Sequence, residues 1–324
     1  MINWFYDYVL FFSKVFTILI AISLLFLKTK KVSLKQNKLK IIDWGEDFKN
    51  YSITLVNSRY NLKKINQFIN NRNNKNYYED IPVVWLIDFY GDINASYTPI
   101  LTELITSILS GAKNNDEVVL RLESCGGIIH SYGLAAAQVD RLRKASIKLT
   151  ICVDKVAASG GYMMACCADK LFAAPFSIIG SIGVVAQVPN INRFLKKHDV
   201  DVEILTSGKN KRTLTILGEN TNEDKVKFIK ELKETHDLFK YYVFNRRPKI
   251  NINKVSKGDI WYGIKAIKEG LIDKVITSEE YLELRSKKAK IFKLVLKKKL
   301  SDIISKKIKK TIARFLKLSK IGDI

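Results

Sequence analysis

The sequence predicts an α/β domain of repeated strand–loop–helix units, preceded by one N-terminal transmembrane helix. Three observations carry that reading. Short apolar runs alternate with amphipathic stretches from residue 81 onward, the spacing expected of parallel strands joined by helical crossovers. A run from Tyr8 to Leu27 is apolar almost throughout, long enough to cross a hydrocarbon core as a helix of about 20 residues. Hydrophobic residues make up 47% of the 324, enough to bury a core, which argues against a disordered or fibrous chain.

Taken in order, the apolar run holds one charge, Lys14, within snorkelling distance of a helix end. No small-residue cleavage site follows, because Leu27 leads directly into Lys28-Thr29-Lys30-Lys31. Residues 1–30 are therefore expected to be an uncleaved anchor. Residues 31–80 are polar, with an Asn-rich stretch from Asn70 to Asn76, and read as a linker or stalk.

Val83 to Ile87 then reads as a strand buried on both faces. A helix follows on Ile100, Leu101, Leu104, Ile105, Ile108 and Leu109, with Pro99 in its first turn. Val118 to Leu122 is a strand, Ser124 to Gly127 a loop, and Tyr132 to Leu142 a helix expected to face inward through Leu134, Val139 and Leu142. Ile147 to Val153 is a strand, Ser159 to Ala168 a helix of small residues, and Leu171 to Ala174 a strand. From Thr221 a long helix is expected, with Val226, Ile229, Leu232, Leu238 and Phe239 in phase as far as Pro248. A shorter pattern through Trp261, Ile264 and Leu271 closes a domain expected over residues 81–284. Residues 285–324 are expected to form a basic amphipathic tail, with Leu296, Leu300, Ile304, Ile308, Ile312 and Phe315 on one stripe.

The charge is lopsided: 55 Lys and Arg against 32 Asp and Glu, a formal +23. Its placement argues against nucleic acid as a partner. From Arg285 onward there are 15 basic residues and two acidic ones, and six lysines (Lys28, Lys30, Lys31, Lys35, Lys38, Lys40) follow the apolar run. Anionic lipid headgroups suit both clusters. The four cysteines form no C-x-x-C pair and the three histidines are scattered, so neither structural zinc nor a disulfide scaffold is supported.

The chemistry concentrates in Asp154-Lys-Val-Ala-Ala-Ser-Gly-Gly-Tyr162. Ser159 lies among small residues, after an apolar strand and at the start of a helix. Small neighbours let a substrate carbonyl approach, and a helix N-terminus offers N–H groups to an oxyanion; the competing reading is an N-cap serine. The pair Gly126-Gly127 follows another strand, and glycine presents N–H groups without a side chain in the way. A nucleophilic serine needs a base. None of His130, His198 and His236 stands out by its setting, and a desolvated lysine can serve, because burial disfavours its charged form.

Four segments together resemble the signal peptide peptidase A family of bacterial inner-membrane peptidases, in particular its SohB branch. They are Arg121-Leu-Glu-Ser-Cys-Gly-Gly127, Val153-Asp-Lys-Val-Ala-Ala-Ser-Gly-Gly-Tyr-Met-Met-Ala165, Gly180-Ser-Ile-Gly-Val184 and Gly208-Lys-Asn-Lys-Arg-Thr213. Trp261-Tyr-Gly263 and Gly270-Leu-Ile-Asp273 keep the same register. The resemblance implies a ClpP/crotonase-like fold and peptide-bond hydrolysis by a Ser/Lys dyad, without metal or cofactor. It assigns Ser159 as nucleophile, Lys211 as general base, Ser181 as the serine that orients the lysine, and Gly126, Gly127 and Gly160 as the oxyanion hole. The family loop usually reads Ser-Pro-Gly-Gly; here Cys125 stands in place of the proline, and packing is its expected role.

The partners implied are peptide substrates, the lipid bilayer through residues 8–27 and through the 285–324 tail, and further copies of the chain, with no nucleic acid. The location implied is a bacterial inner membrane. Lysines after Leu27 place the domain in the cytoplasm by the positive-inside rule, whereas the resemblance places it in the periplasm. The alternatives are a catalytically silent scaffold of the same fold and an acyl-CoA enzyme of crotonase type.

Overall fold

A computed structural model describes residues 6–18, 39–48, 50–51, 81–208 and 214–296. The chain divides into two units, Met1–Lys40 with Leu296–Ile324, and Ile41–Val295. In the first, residues 6–18 are helical, and Tyr8, Phe11, Phe12, Phe16 and Ile18 are all exposed. Its hydroxyls fold back on the backbone: Ser13 Oγ donates to the Leu10 carbonyl at 3.0 Å and Thr17 Oγ1 to that of Lys14 at 2.8 Å, which satisfies these polar groups within the helix. Among the described residues no helix is long and apolar enough to cross a membrane. Residues 19–27 of the expected span, residues 52–80 of the linker and residues 297–324 of the tail lie outside the described residues.

The second unit is organised by a mixed sheet of ten strands. Its main path runs β1 (Leu39–Asp43), β10 (Lys290–Leu296), β2 (Val83–Gly91), β3 (Glu117–Ser124), β4 (Lys148–Val153), β6 (Lys170–Ala173) and β9 (Lys274–Val275). A branch leaves β3 through β5 (Val156–Ala158), β7 (Ile178–Gly180) and β8 (Ile260–Tyr262). The strands from β10 to β9 along the main path pair in parallel, as do β3–β5 and β5–β7, while β7–β8 is antiparallel. The central strands are near-continuous apolar runs because both faces are covered: Val118, Val119, Leu120 and Leu122 of β3 are all buried. The fork at β3 positions the site. Glu117 to Arg121 pair with β4, while Ser124 at the strand's end pairs with Ala157 of β5.

Residues 44–48 and 50–51 are helical, and from residue 81 onward the helices among the described residues are α1 (Thr98–Leu109), α2 (Ile129–Lys144), α3 (Gly160–Ala165), α4 (Asn192–Lys197), α5 (Asn222–Arg246), α6 (Ile252–Val255), α7 (Gly263–Ala266) and α8 (Ser278–Ser286). Helix α1 carries Pro99 in its first turn and buries Leu101, Leu104, Ile105 and Ile108. A capping box between Thr221 and Asp224 starts α5, satisfying N–H groups that a helix start leaves without partners.

Three expectations are corrected. Leu134 does not face inward: α2 buries Tyr132, Ala135, Ala136, Val139 and Leu142, and Leu134 sits off that stripe, 55% exposed. On α5 only Phe239 of the expected in-phase residues is buried, together with Val243, and Val226, Ile229 and Leu238 are exposed. The helix packs through its second half, where Arg246 pairs with Asp140 and Tyr242 meets Cys167. Finally, the sheet does not stop at residue 284. Lys290–Leu296 forms β10, paired in parallel with β2, and Ile291 and Leu294 are buried.

The charge within β10 is matched locally. Lys293 Nζ lies 2.7 Å from Asp88 on β2, and Arg121 on β3 grips the same carboxylate through Nε at 2.7 Å and Nη2 at 3.1 Å. The Arg121 guanidinium and the Lys293 ammonium also lie over the Trp44 ring, at 5.1 and 4.7 Å from its centroid respectively. Burial pushes the Asp88 carboxyl up, but the bonds from Arg121 and Lys293 outweigh it and hold it below its ordinary value.

Candidate active site

Strand register brings three chain segments to one place. Ala158 pairs with Gly180 across β5–β7, Gly180 pairs with Ile260 across β7–β8, and Ser124 pairs with Ala157. The residues that follow the parallel strands β3, β5 and β7 are therefore Cys125-Gly126-Gly127, Ser159 and Ser181. Ends of neighbouring parallel strands converge in this way wherever an α/β sheet builds a site.

Ser159 turns the chain from β5 into α3 at φ 52°, ψ −119°, a region that non-glycine residues occupy only when their surroundings hold them there. Its N–H donates to the Gly180 carbonyl at 2.8 Å and its carbonyl accepts from Met163 at 3.0 Å. The N-cap reading does not hold for its side chain: the residue occupies the cap position, but its hydroxyl makes no capping bond. Ser159 Oγ and Ser181 Oγ have no hydrogen-bond partner among the described residues.

The backbone around Ser159 is so close that side chains would not fit. A Cβ on Gly126, at φ 85°, would lie 2.7 Å from the Ala158 carbonyl oxygen and from Gly160 N, and a Cβ on Gly160 would lie 2.4 Å from the Tyr132 ring. Gly160 opens α3, where N–H groups have no carbonyl a turn earlier to bind. The Gly127 N–H has no partner among the described residues, whereas the next N–H, of Ile128, donates to Ile93 at 2.9 Å.

Gly126 departs from its assigned role as a donor. Its N–H donates to Ser124 Oγ at 3.0 Å. The Tyr132 hydroxyl donates to the Asp92 carbonyl at 2.7 Å, and Ser124 Oγ lies 2.5 Å from that hydroxyl. A carbonyl only accepts, so the single Tyr132 proton is committed to Asp92 and the Ser124 proton points to Tyr132. The relay runs in one direction, from Gly126 N–H through Ser124 and Tyr132 to Asp92. It shapes the loop from beneath and leaves Gly127 and Gly160 as the N–H groups open to a ligand.

A cavity of about 840 Å³ opens over this point, lined by Ser159, Ser181, Gly126, Gly127 and Gly160. Ile93, Ile128, Met163, Val184 and Phe239 supply apolar walls, as ligand clefts require. Lys211, assigned as base, lies with Lys209 and Arg212 outside the described residues. Three lining residues were not anticipated from the sequence. Cys125 is exposed at the cavity instead of packed, and His236 and Lys257 reach it from α5 and from the segment before β8. Only helical phase could have pointed to His236, which shares a face with Phe239 one turn on.

A hydroxyl held on a strained strand-to-helix turn, beside two open N–H groups in an apolar cleft, is the equipment of an acyl-transfer enzyme. Comparison with known proteins gives the family. Residues 3–139 match the model of the peptidase family S49 N-terminal region, and residues 141–292 match that of peptidase family S49. Over 297 residues the chain is 46% identical to "Probable protease SohB" of Buchnera aphidicola subsp. Schlechtendalia chinensis, spanning 85% of this chain and 97% of that protein. With "Probable protease SohB" of Haemophilus influenzae it shares 55% identity over 219 residues, 67% of this chain and 62% of that one. With "Probable protease SohB" of Buchnera aphidicola subsp. Schizaphis graminum the figures are 43% over 295 residues, 87% and 86%. The chain belongs to peptidase family S49.

Proposed function

We propose that this protein is a membrane-anchored serine endopeptidase that cleaves signal-peptide remnants or short unfolded peptides through a Ser/Lys dyad. The observation that carries the reading is Ser159: a hydroxyl without a partner among the described residues, at φ 52°, facing a peptide-sized cavity beside the Gly127 and Gly160 N–H groups. Neutral Lys211, assigned by its motif, takes the Ser159 proton as Oγ attacks the scissile carbonyl carbon. The oxyanion forms at Gly127 and Gly160. When it collapses, the C–N bond breaks and the lysine ammonium returns the proton to the leaving amine. Water deprotonated by the same lysine then attacks the acyl-enzyme, releasing the acid and regenerating the serine. Ser181, one strand over in register, orients the amine.

The ClpP/crotonase type of fold accords with this reading. Anchoring rests on the apolar run 8–27, and self-association on the exposed Val226, Ile229 and Leu238 of α5. The test is hydrolysis of a fluorogenic peptide by the detergent-solubilised protein and by its Ser159→Ala and Lys211→Ala variants. Each change is expected to lower kcat by at least about a thousandfold, as loss of a group in a nucleophile–base unit does. Undiminished hydrolysis in either variant removes that residue from the dyad.

A further inference from the structure

The turn that carries Ser181 is pinned at three points. The Gly180 carbonyl accepts from Ser159 N–H at 2.8 Å, and Ser181 N–H donates to the Asp259 carbonyl at 2.8 Å. The third pin is a side chain: His236 Nε2 lies 3.3 Å from the Ile182 carbonyl oxygen. We propose that His236 is a positioning residue for Ser181, holding the turn so that the serine hydroxyl meets the base. The inference rests on the reading of Ser159 and Ser181 given above.

The turn needs holding. Gly180 at φ 96° and Ser181 at φ 51° are consecutive left-handed residues, and a serine keeps that conformation only where its surroundings enforce it. Two pins are backbone bonds to neighbouring strand segments. The third comes from α5, which is itself anchored one turn further on by Phe239, only 2% exposed. Ile182 is fully buried, so its carbonyl sits where an unpaired acceptor would be costly.

The same contact occupies Nε2 of His236. A carbonyl oxygen only accepts, so Nε2 must carry a proton and is spent on Ile182. The other two histidines do not compete for the role. His198, just past the end of α4, bonds the Phe194 carbonyl at 2.8 Å, and His130 is exposed at the start of α2.

The test measures kcat and KM for a fluorogenic peptide with the full-length protein carrying His236→Leu, His236→Gln or His236→Asn, alone and with Ser181→Ala. Gln can place an amide N–H near the Nε2 position, and Asn is too short. His236→Leu and His236→Asn are expected to lower kcat about tenfold with KM within twofold, which corresponds to ~1.4 kcal/mol, the scale of one neutral hydrogen bond. His236→Gln is expected to stay within about threefold of the parent. On the Ser181→Ala background the Leu and Asn changes are expected to cost less than twofold, because they act through the residue already removed.

A Gln variant as impaired as Asn, a tenfold loss that persists without Ser181, or a change confined to KM would each overturn the proposal. If the Leu variant does not fold, the contrast between Gln and Asn decides the matter in its place. Ser159→Ala in the same assay separates the two levels: undiminished hydrolysis there refutes the reading of the site itself, whereas a loss of about a thousandfold leaves the His236 comparison to stand or fall alone.

Discussion

Replacing Ser159 by glycine is expected to yield a dead enzyme that is more stable than the alanine variant. At φ 52°, ψ −119° a residue with a Cβ carries strain of order 1–3 kcal/mol. Alanine keeps that strain, and glycine removes it at a cost of roughly 0.5–1 kcal/mol in added unfolded-state freedom. The balance favours glycine over alanine by about 1 kcal/mol. In a unit the size of Ile41–Val295, that shifts the melting temperature by about 2–4 °C. Ser159→Ala itself should stay within about 0.5 kcal/mol of the parent, since Oγ loses no bond to any described residue. The assay is thermal unfolding of the three full-length proteins by circular dichroism in one detergent buffer. A glycine variant that melts at or below the alanine variant would refute the claim that Ser159 is held under strain.

Other outcomes follow from the same contacts. Tyr132→Phe breaks the relay beneath the Gly126 loop and is expected to lower kcat about tenfold, while Cys125→Ala, whose thiol donates to and accepts from no relay atom, stays within about threefold; steady-state kinetics compares them. Asp88→Asn removes the carboxylate between Arg121 and Lys293 and is expected to cost about 3 kcal/mol at pH 7. Because that carboxyl is held below its ordinary value in the folded state, its contribution is present above the unfolded carboxyl pKa and is lost as pH falls through the lowered folded value. Urea titrations should therefore find the parent and the Asn variant converging below about pH 4. Deleting residues 285–324 strips β10 from the sheet, unburying Ile291 and Leu294 at about 1.5–3 kcal/mol each and leaving β2 an open edge. That variant is expected to aggregate on gel filtration, whereas deletion of residues 297–324 is expected to leave a folded peptidase.

How far sequence alone reaches depends on the range of the interaction. The strand at Val118–Leu122 and the serine between small residues at 159 are written in local pattern, and both stand in the structure as expected. Gly126 escapes such a reading because its N–H is engaged by Ser124, whose direction depends on Tyr132 and Asp92, contacts that no spacing rule exposes. His236 is inconspicuous because its partner, Ile182, lies 54 positions away. β10 merges with the tail in the sequence because Lys290 and Lys293 read as one more basic stripe. Only with Asp88 opposite does Lys293 become a strand residue with its charge matched.

The place of β10 between β1 and β2 orders assembly in time. A strand from near residue 40 cannot take its place in the sheet until one from near residue 290 has done so. During synthesis β1 and β2 both wait beside a gap of one strand, with β2 presenting an unpaired edge. Elongation at about 5–20 residues per second makes that wait on the order of ten seconds or more. Through that interval the strand is open to pairing with another chain, and a ribosome-bound chaperone that covers it would raise the yield of folded enzyme.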